Sequence, residues 1–163
     1  MPQPTEFKVL GVPKPFQPKL PLHPEQPERG FREYTITPVG EDKGASFWVS
    51  KKDAEAMEPE KIFRLMELFN VKVESKTEDT VTARFVSESY EDVRKIKVQL
   101  IQWIPKGTQF PAQVVMPDAS VTDGFAEEDC KKLKPDAIIQ FERFGFVRVN
   151  EVSEKMIAYY AHK

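Results

Sequence analysis

The sequence predicts an all-β fold: an antiparallel β-barrel or pair of β-barrels, with one or two short helices. Three observations predict it. Short runs with apolar residues at every second place recur along the chain, most cleanly in Thr80-Val81-Thr82-Ala83-Arg84-Phe85-Val86, and that period marks strands with one buried face. Polar turn clusters such as Glu28-Arg29-Gly30 and Glu74-Ser75-Lys76-Thr77-Glu78-Asp79 separate the runs at regular intervals. The strand-helix-strand alternation that accompanies a parallel sheet is missing.

Eight of the 14 prolines fall before residue 28, a spacing that forbids helix and central strand and leaves extended edge segments and turns. Phe7, Val9, Leu10, Phe16, Leu20 and Leu22 in that stretch are too many apolar side chains to leave in water, so an ordered lead-in pairing along a sheet edge is expected. Tyr34 to Val39 and Phe47-Trp48-Val49 read as short strands. Ser50 as N-cap, Asp53 three places on and Pro59 beyond then predict a short helix. Residues 62–69 fit a strand, although Ile62, Leu65, Met66 and Phe69 would equally share one helix face; the neighbouring strands favour strand. Ile96 to Ile104, Ala112 to Met116 and Met156 to His162 are further strands, and Ala126 to Leu133 a second short helix.

In Ile138 to Asn150 apolar residues alternate, with a slip of phase beside Gly145, which predicts a bent ribbon with a bulge. Gln140, Glu142, Arg143 and Arg148 are left for the other face. Amide and guanidinium groups pair with base edges in two directions at once, so a base-reading strand and an ordinary solvated face both fit this pattern.

Of the 163 residues 40% are hydrophobic and 31% charged, and the net charge is −2, a soluble globular balance that argues against indiscriminate nucleic-acid binding. No apolar run is long enough to cross a membrane and no secretory signal opens the chain, so a cytoplasmic protein is expected. The lone cysteine, Cys130, can form no intramolecular disulfide, and Glu127, Glu128 and Asp129 beside it disfavour a thiolate. P-loop, dinucleotide, HExxH, GxSxG and CxxC patterns are absent, and neither His23 nor His162 has an obvious catalytic partner. The chain alone is expected to do no chemistry.

Five co-linear segments, Leu20 to Glu33, Phe63 to Val71, Leu100 to Pro105, Val114 to Asp118 and Ile139 to Phe146, together resemble the C-terminal anticodon-binding region of archaeal-type glutamyl-tRNA synthetase, shared less closely with glutaminyl-tRNA synthetase. The resemblance covers essentially the whole chain. It implies two β-barrels related to a ribosomal protein that binds 5S rRNA; we set them at residues 1–97 and 98–163, with strands able to pass between. It also implies that the catalytic half, with its ATP and Mg²⁺, lies elsewhere, since HIGH-like and KMSKS-like signatures are missing here. The implied partner is tRNA(Glu), with tRNA(Gln) open, and neither membrane nor DNA.

Residue by residue, Gln140 and Arg143 match a QFER strand that contacts the middle anticodon base. Arg64 matches the first arginine of a segment reading R-L-R in the glutamine enzymes, which contacts the first base; Met66 replaces the second arginine. Arg32 is a candidate phosphate contact, as are Lys51, Lys52 and Lys61, and Phe69, Trp103, Phe141, Phe144 and Phe146 are candidate stacking surfaces or core. Two rival readings remain at this stage: an rRNA-binding barrel and a protein-interaction barrel.

Overall fold

The computed structural model describes residues 1–23 and 25–163; Pro24 of the proline-rich lead-in lies outside the described residues. The chain is all-β and divides into two compact units, one of residues 5–105 and one of residues 1–4 with 106–163. The division falls after Pro105 rather than at the 97/98 boundary expected from sequence, and the first four residues join the second unit.

The larger unit is a seven-stranded sheet in the order β8-β5-β6-β7-β1-β4-β9, formed by β1 (Pro4–Leu10), β4 (Ala45–Ser50), β5 (Ile62–Leu65), β6 (Asn70–Lys76), β7 (Thr80–Ser87), β8 (Gln99–Ile101) and β9 (Ile104–Pro105). A flat sheet of that size would set its edges about 29 Å apart. The edge strands β8 and β9 are joined by Gln102 and Trp103 alone, a link that spans at most about 11 Å, so the sheet rolls on itself. Phe7, Val9, Phe47, Val71, Val81 and Trp103 are buried in the one core that results. A separate ribbon of β2 (Lys19–Pro21) and β3 (Phe31–Glu33) carries the lead-in.

Several sequence expectations change here. The lead-in does pair, but β1 lies inside the sheet between β7 and β4, and Pro4, which has no N–H to give, stands at its first position. The sheets are mixed rather than purely antiparallel: β1 with β7 and β5 with β8 run parallel, which the long chain segments between them permit. The single strand expected over 96–104 is broken into a 3₁₀ turn at Arg94–Ile96, a left-handed Lys97 at φ +49°, and the short β8 and β9. Ile96 and Leu100 are exposed, so that apolar run was not a core face. The helix over Lys51–Ala56 (α1) forms as expected: the Ser50 hydroxyl oxygen accepts from the Asp53 N–H at 3.1 Å, and its own proton goes to the Asp53 carboxylate at 2.8 Å.

The smaller unit is a five-stranded sheet in the order β11-β10-β14-β13-β12, made of β10 (Gln109–Val115), β11 (Val121–Glu127), β12 (Ile138–Phe141), β13 (Gly145–Val152) and β14 (Met156–His162). It too is mixed, β10 and β14 being parallel. Residues 1–3 extend it: Pro2 bridges Gly124 and the Phe125 N–H donates to the Met1 carbonyl at 2.9 Å. A Cβ at position 124 would collide with that carbonyl. The helix expected over 126–133 is instead the end of β11, where Ala126 pairs with Phe110, followed by a 3₁₀ turn at Glu128–Lys132. In a 3₁₀ turn side chains three apart eclipse, which fits the ion pairs Glu128 to Lys131 at 3.0 Å and Asp129 to Lys132 at 2.6 Å.

Candidate nucleic-acid interface

The ribbon of residues 138–150 is a hairpin, not one bent strand. Glu142, Arg143 and Phe144 turn the chain between β12 and β13, closed by the Phe144 N–H donating to the Phe141 carbonyl at 2.9 Å. Arg143 takes a left-handed φ of +62° at the tip. The phase slip in the sequence was therefore the turn; the register shifts lie later, between β13 and β14. Ile139, Val147, Val149 and Phe141 point into the unit's core, and strand alternation sends Gln140, Phe146 and Arg148 to the opposite face. Gln140 is exposed on that face and Arg143 exposed at the tip next to it. A short, core-anchored hairpin thus presents an amide and a guanidinium together.

In the larger unit β5 presents Arg64, half-buried. Its Nη1 donates to the Asn70 amide oxygen at 2.9 Å and to the Glu88 carbonyl at 3.0 Å, and its guanidinium carbon lies 5.7 Å from the centre of the Tyr90 ring. Asn70 is fully buried, and its amide nitrogen donates to the Ser87 hydroxyl at 2.9 Å and the Ser89 carbonyl at 2.7 Å. One side chain therefore ties the 87–89 segment to Arg64. Both bonds of Arg64 fall on Nη1, so Nη2 and Nε keep their donor capacity. Sequence reading missed Asn70 and Tyr90. The available signal was a lone amide inside the apolar run Leu68-Phe69-Asn70-Val71, since a buried polar group needs partners.

Replacing Asn70 by leucine removes three hydrogen bonds, one of them to a charged group, and should cost about 3 kcal/mol. A urea melt of the full chain checks this, and a change below about 1 kcal/mol would mean that the guanidinium finds other acceptors.

The remaining candidates are less organised. Arg32 is half-buried and its Nη2 donates to the Pro21 carbonyl at 3.3 Å, so part of its donor capacity serves the β2-β3 ribbon. Lys61 pairs with Glu58 at 2.7 Å, while Lys51 and Lys52 open α1 at the surface. Gln140 and Arg143 belong to the smaller unit, and Arg32, Arg64 and the three lysines to the larger. Of the aromatic candidates, Phe69 and Trp103 are core; the Trp103 indole donates to the Met66 carbonyl at 2.9 Å. Phe144 packs edge-on to Phe141 and Tyr160. Burial, with the Glu127 carboxylate next in weight, pushes the Cys130 thiol up to about 11, which leaves it protonated and unreactive. Among the described residues no group of three or more His, Cys, Asp or Glu side chains could hold a metal ion, and no helix is long and apolar enough to cross a membrane.

The chain is thus an all-β protein whose candidate amide and guanidinium groups stand on strands and on one hairpin turn. Comparison with known proteins then gives the particular kind. The family model described as tRNA synthetases class I (E and Q), anti-codon binding domain, matches residues 1–91, and a second of the same description matches residues 100–150. The chain belongs to this family of anticodon-binding domains.

It is 42% identical over 164 residues to the glutamate–tRNA ligase of Pyrococcus abyssi, an alignment covering 98% of this chain and 27% of that protein. With the glutamate–tRNA ligase of Methanocaldococcus jannaschii it shares 40% identity over 146 residues, 89% of this chain and 24% of the relative. The chain spans about a quarter of the length of the curated relatives it matches.

Proposed function

We propose that this chain reads the anticodon arm of tRNA(Glu), with tRNA(Gln) as a second candidate, as the recognition part of a glutamate–tRNA ligase. The observation that carries the reading is the display of Gln140 and Arg143 by one short hairpin, in an anticodon-binding domain whose relatives are glutamate–tRNA ligases. Anticodon bases are unstacked and offered singly, so their edges are read by polar side chains held at fixed positions. Gln140 accepts and donates through one amide and Arg143 donates through a planar fork; together they meet the middle base. Arg64, held by Asn70 over Tyr90, turns its Nη2 and Nε to the first base. With Met66 where a second arginine would stand, that position is read more loosely, which suits tRNAs that vary between pyrimidines there. Arg32, Lys51, Lys52 and Lys61 serve the phosphate backbone.

ATP and Mg²⁺ act in the catalytic part of the full enzyme. No chemical step is assigned to this chain. Its contribution to catalysis is binding energy, used to place the acceptor end at a remote centre and to reject wrong tRNAs.

The test is the affinity of the chain for unmodified tRNA(Glu), against a transcript altered at the middle anticodon base and a 5S rRNA loop. The altered transcript should bind roughly tenfold more weakly, a difference of about 1.4 kcal/mol. Gln140→Ala and Arg143→Ala should each cost about 1–3 kcal/mol toward the native transcript and little toward the altered one. Equal affinity for all three RNAs, falling only with salt, would reduce the chain to a backbone binder.

A further inference from the structure

The outer face of β12, β13 and β14 carries two cross-strand rows, of which the base contacts above use Gln140 alone. In the first, Gln140 pairs with Phe146 and Phe146 with His162; the last two rings are stacked, with centroids 4.6 Å apart at 25°. In the second, Ile138 pairs with Arg148 and Arg148 with Tyr159. The Arg148 guanidinium carbon lies 5.9 Å from the Tyr159 ring centre and its Nη1 donates to the Asp136 carboxylate at 2.7 Å. Ile138 is 67% exposed and Tyr159 42%.

We propose that this face is a stacking platform for an unpaired RNA base next to the one met by Gln140, an inference that rests on the recognition reading above. Folded proteins rarely gather apolar and aromatic surface on one exposed face unless something covers it. Three features select RNA as the occupant. The rings stand on hydrogen-bonded strands instead of on loops, as in single-strand readers that stack successive bases on strand aromatics. Gln140 stands in register beside Phe146, one strand spacing of about 4.8 Å away, so a nucleotide held there delivers its neighbour onto the Phe146–His162 pair or onto Tyr159. Finally, β12 and most of β13 lie within residues 100–150, one of the two stretches matched as anticodon-binding. Arg148, held in place by Asp136, adds a planar cation that stacks with a base as readily as with Tyr159.

The experiment uses the full chain and an RNA hairpin presenting a glutamate anticodon in its loop, with binding read by fluorescence anisotropy at two salt concentrations. Tyr159→Ala and His162→Ala should each weaken binding about fivefold or more, with the salt dependence unchanged because no phosphate-binding charge is lost. Tyr159→Phe, which keeps the ring, should bind like the native chain. Alanine variants that bind normally, while Gln140→Ala still loses discrimination at the middle base, overturn the platform and leave the recognition reading standing. No effect from any of the three alanine variants, Gln140→Ala included, sinks both. A loss that Tyr159→Phe fails to restore, with a lowered melting temperature, also overturns the platform, since it marks a structural role.

Discussion

Phe69→Ala is expected to cost the larger unit about 3–5 kcal/mol, the range for emptying a buried phenylalanine site. Phe69 is fully buried, and its ring meets the edges of three others: Phe16 at 5.2 Å, Phe85 at 5.4 Å and Phe47 at 6.4 Å between centroids. Such edge-to-face pairs add stability beyond the area they bury. The three partners come from the lead-in, from β7 and from β4, so this ring joins segments far apart in sequence. Its backbone is also committed, since the Leu65 N–H donates to the Phe69 carbonyl at 3.0 Å and closes the β5-β6 turn. The rings around it have little room to collapse together without pulling β4, β7 and the lead-in with them, which argues for the upper part of the range.

Both tryptophans, Trp48 and Trp103, lie within residues 5–105, so tryptophan fluorescence in a urea titration reports the larger unit alone. The midpoint should fall steeply with little change in slope. A loss under about 1 kcal/mol would show that the core closes over the gap. Because Phe69 directly precedes Asn70, the variant should also loosen the hold on Arg64.

The sequence showed its strands where alternation was clean and its turns polar. The strand read at Thr80 to Val86 forms as Thr80–Ser87, Met156–His162 is a strand as read, and Ser50 caps its helix. Pairing partners were not legible. Nothing local in β1 says that it will lie parallel to β7, because that choice is made by distant segments competing for the same edge. Apolar content misled at Ile96 and Leu100, where the side chains face outward, and at Ala126, whose neighbours look helical although its partner is Phe110 across a ladder. Of the candidate residues, Gln140 and Arg143 stood out as amide and guanidinium groups on the strand pattern, whereas Arg64 came from the family resemblance alone. The holders of Arg64 were not legible, since Asn70 and Tyr90 meet it only after β5, β6 and the 87–90 segment come together.

The second large effect is expected at Gly145. Its φ is +147°, and a Cβ there would lie 2.7 Å from Cε2 of Tyr160 and 2.9 Å from the carbonyl oxygen of His162. The Tyr160 ring can tilt away, although it is packed on Phe144. The carbonyl belongs to β14, which is hydrogen-bonded to β13, and it retreats only if the two strands separate. Adding the strain of a positive φ to that overlap, Gly145→Ala should cost about 2–5 kcal/mol. The smaller unit has roughly 60 residues and, by the usual yield per residue, about 3–9 kcal/mol of stability in all, so the variant takes a large share of it.

The damage should start locally. Gly145 pairs with Phe141, next to the Gln140–Phe146 pair and beside the turn that carries Arg143, so the hairpin tip is the first part to open. Hydrogen exchange at the amides of β12 and β13 should accelerate well before that of β10 and β11. If the recognition reading holds, discrimination at the middle anticodon base should fall with it, even at temperatures where tryptophan fluorescence shows the larger unit intact. Unchanged exchange at β12 would mean that β14 gives way easily, and Gly145 would then be a tolerated residue rather than the one that lets the hairpin close.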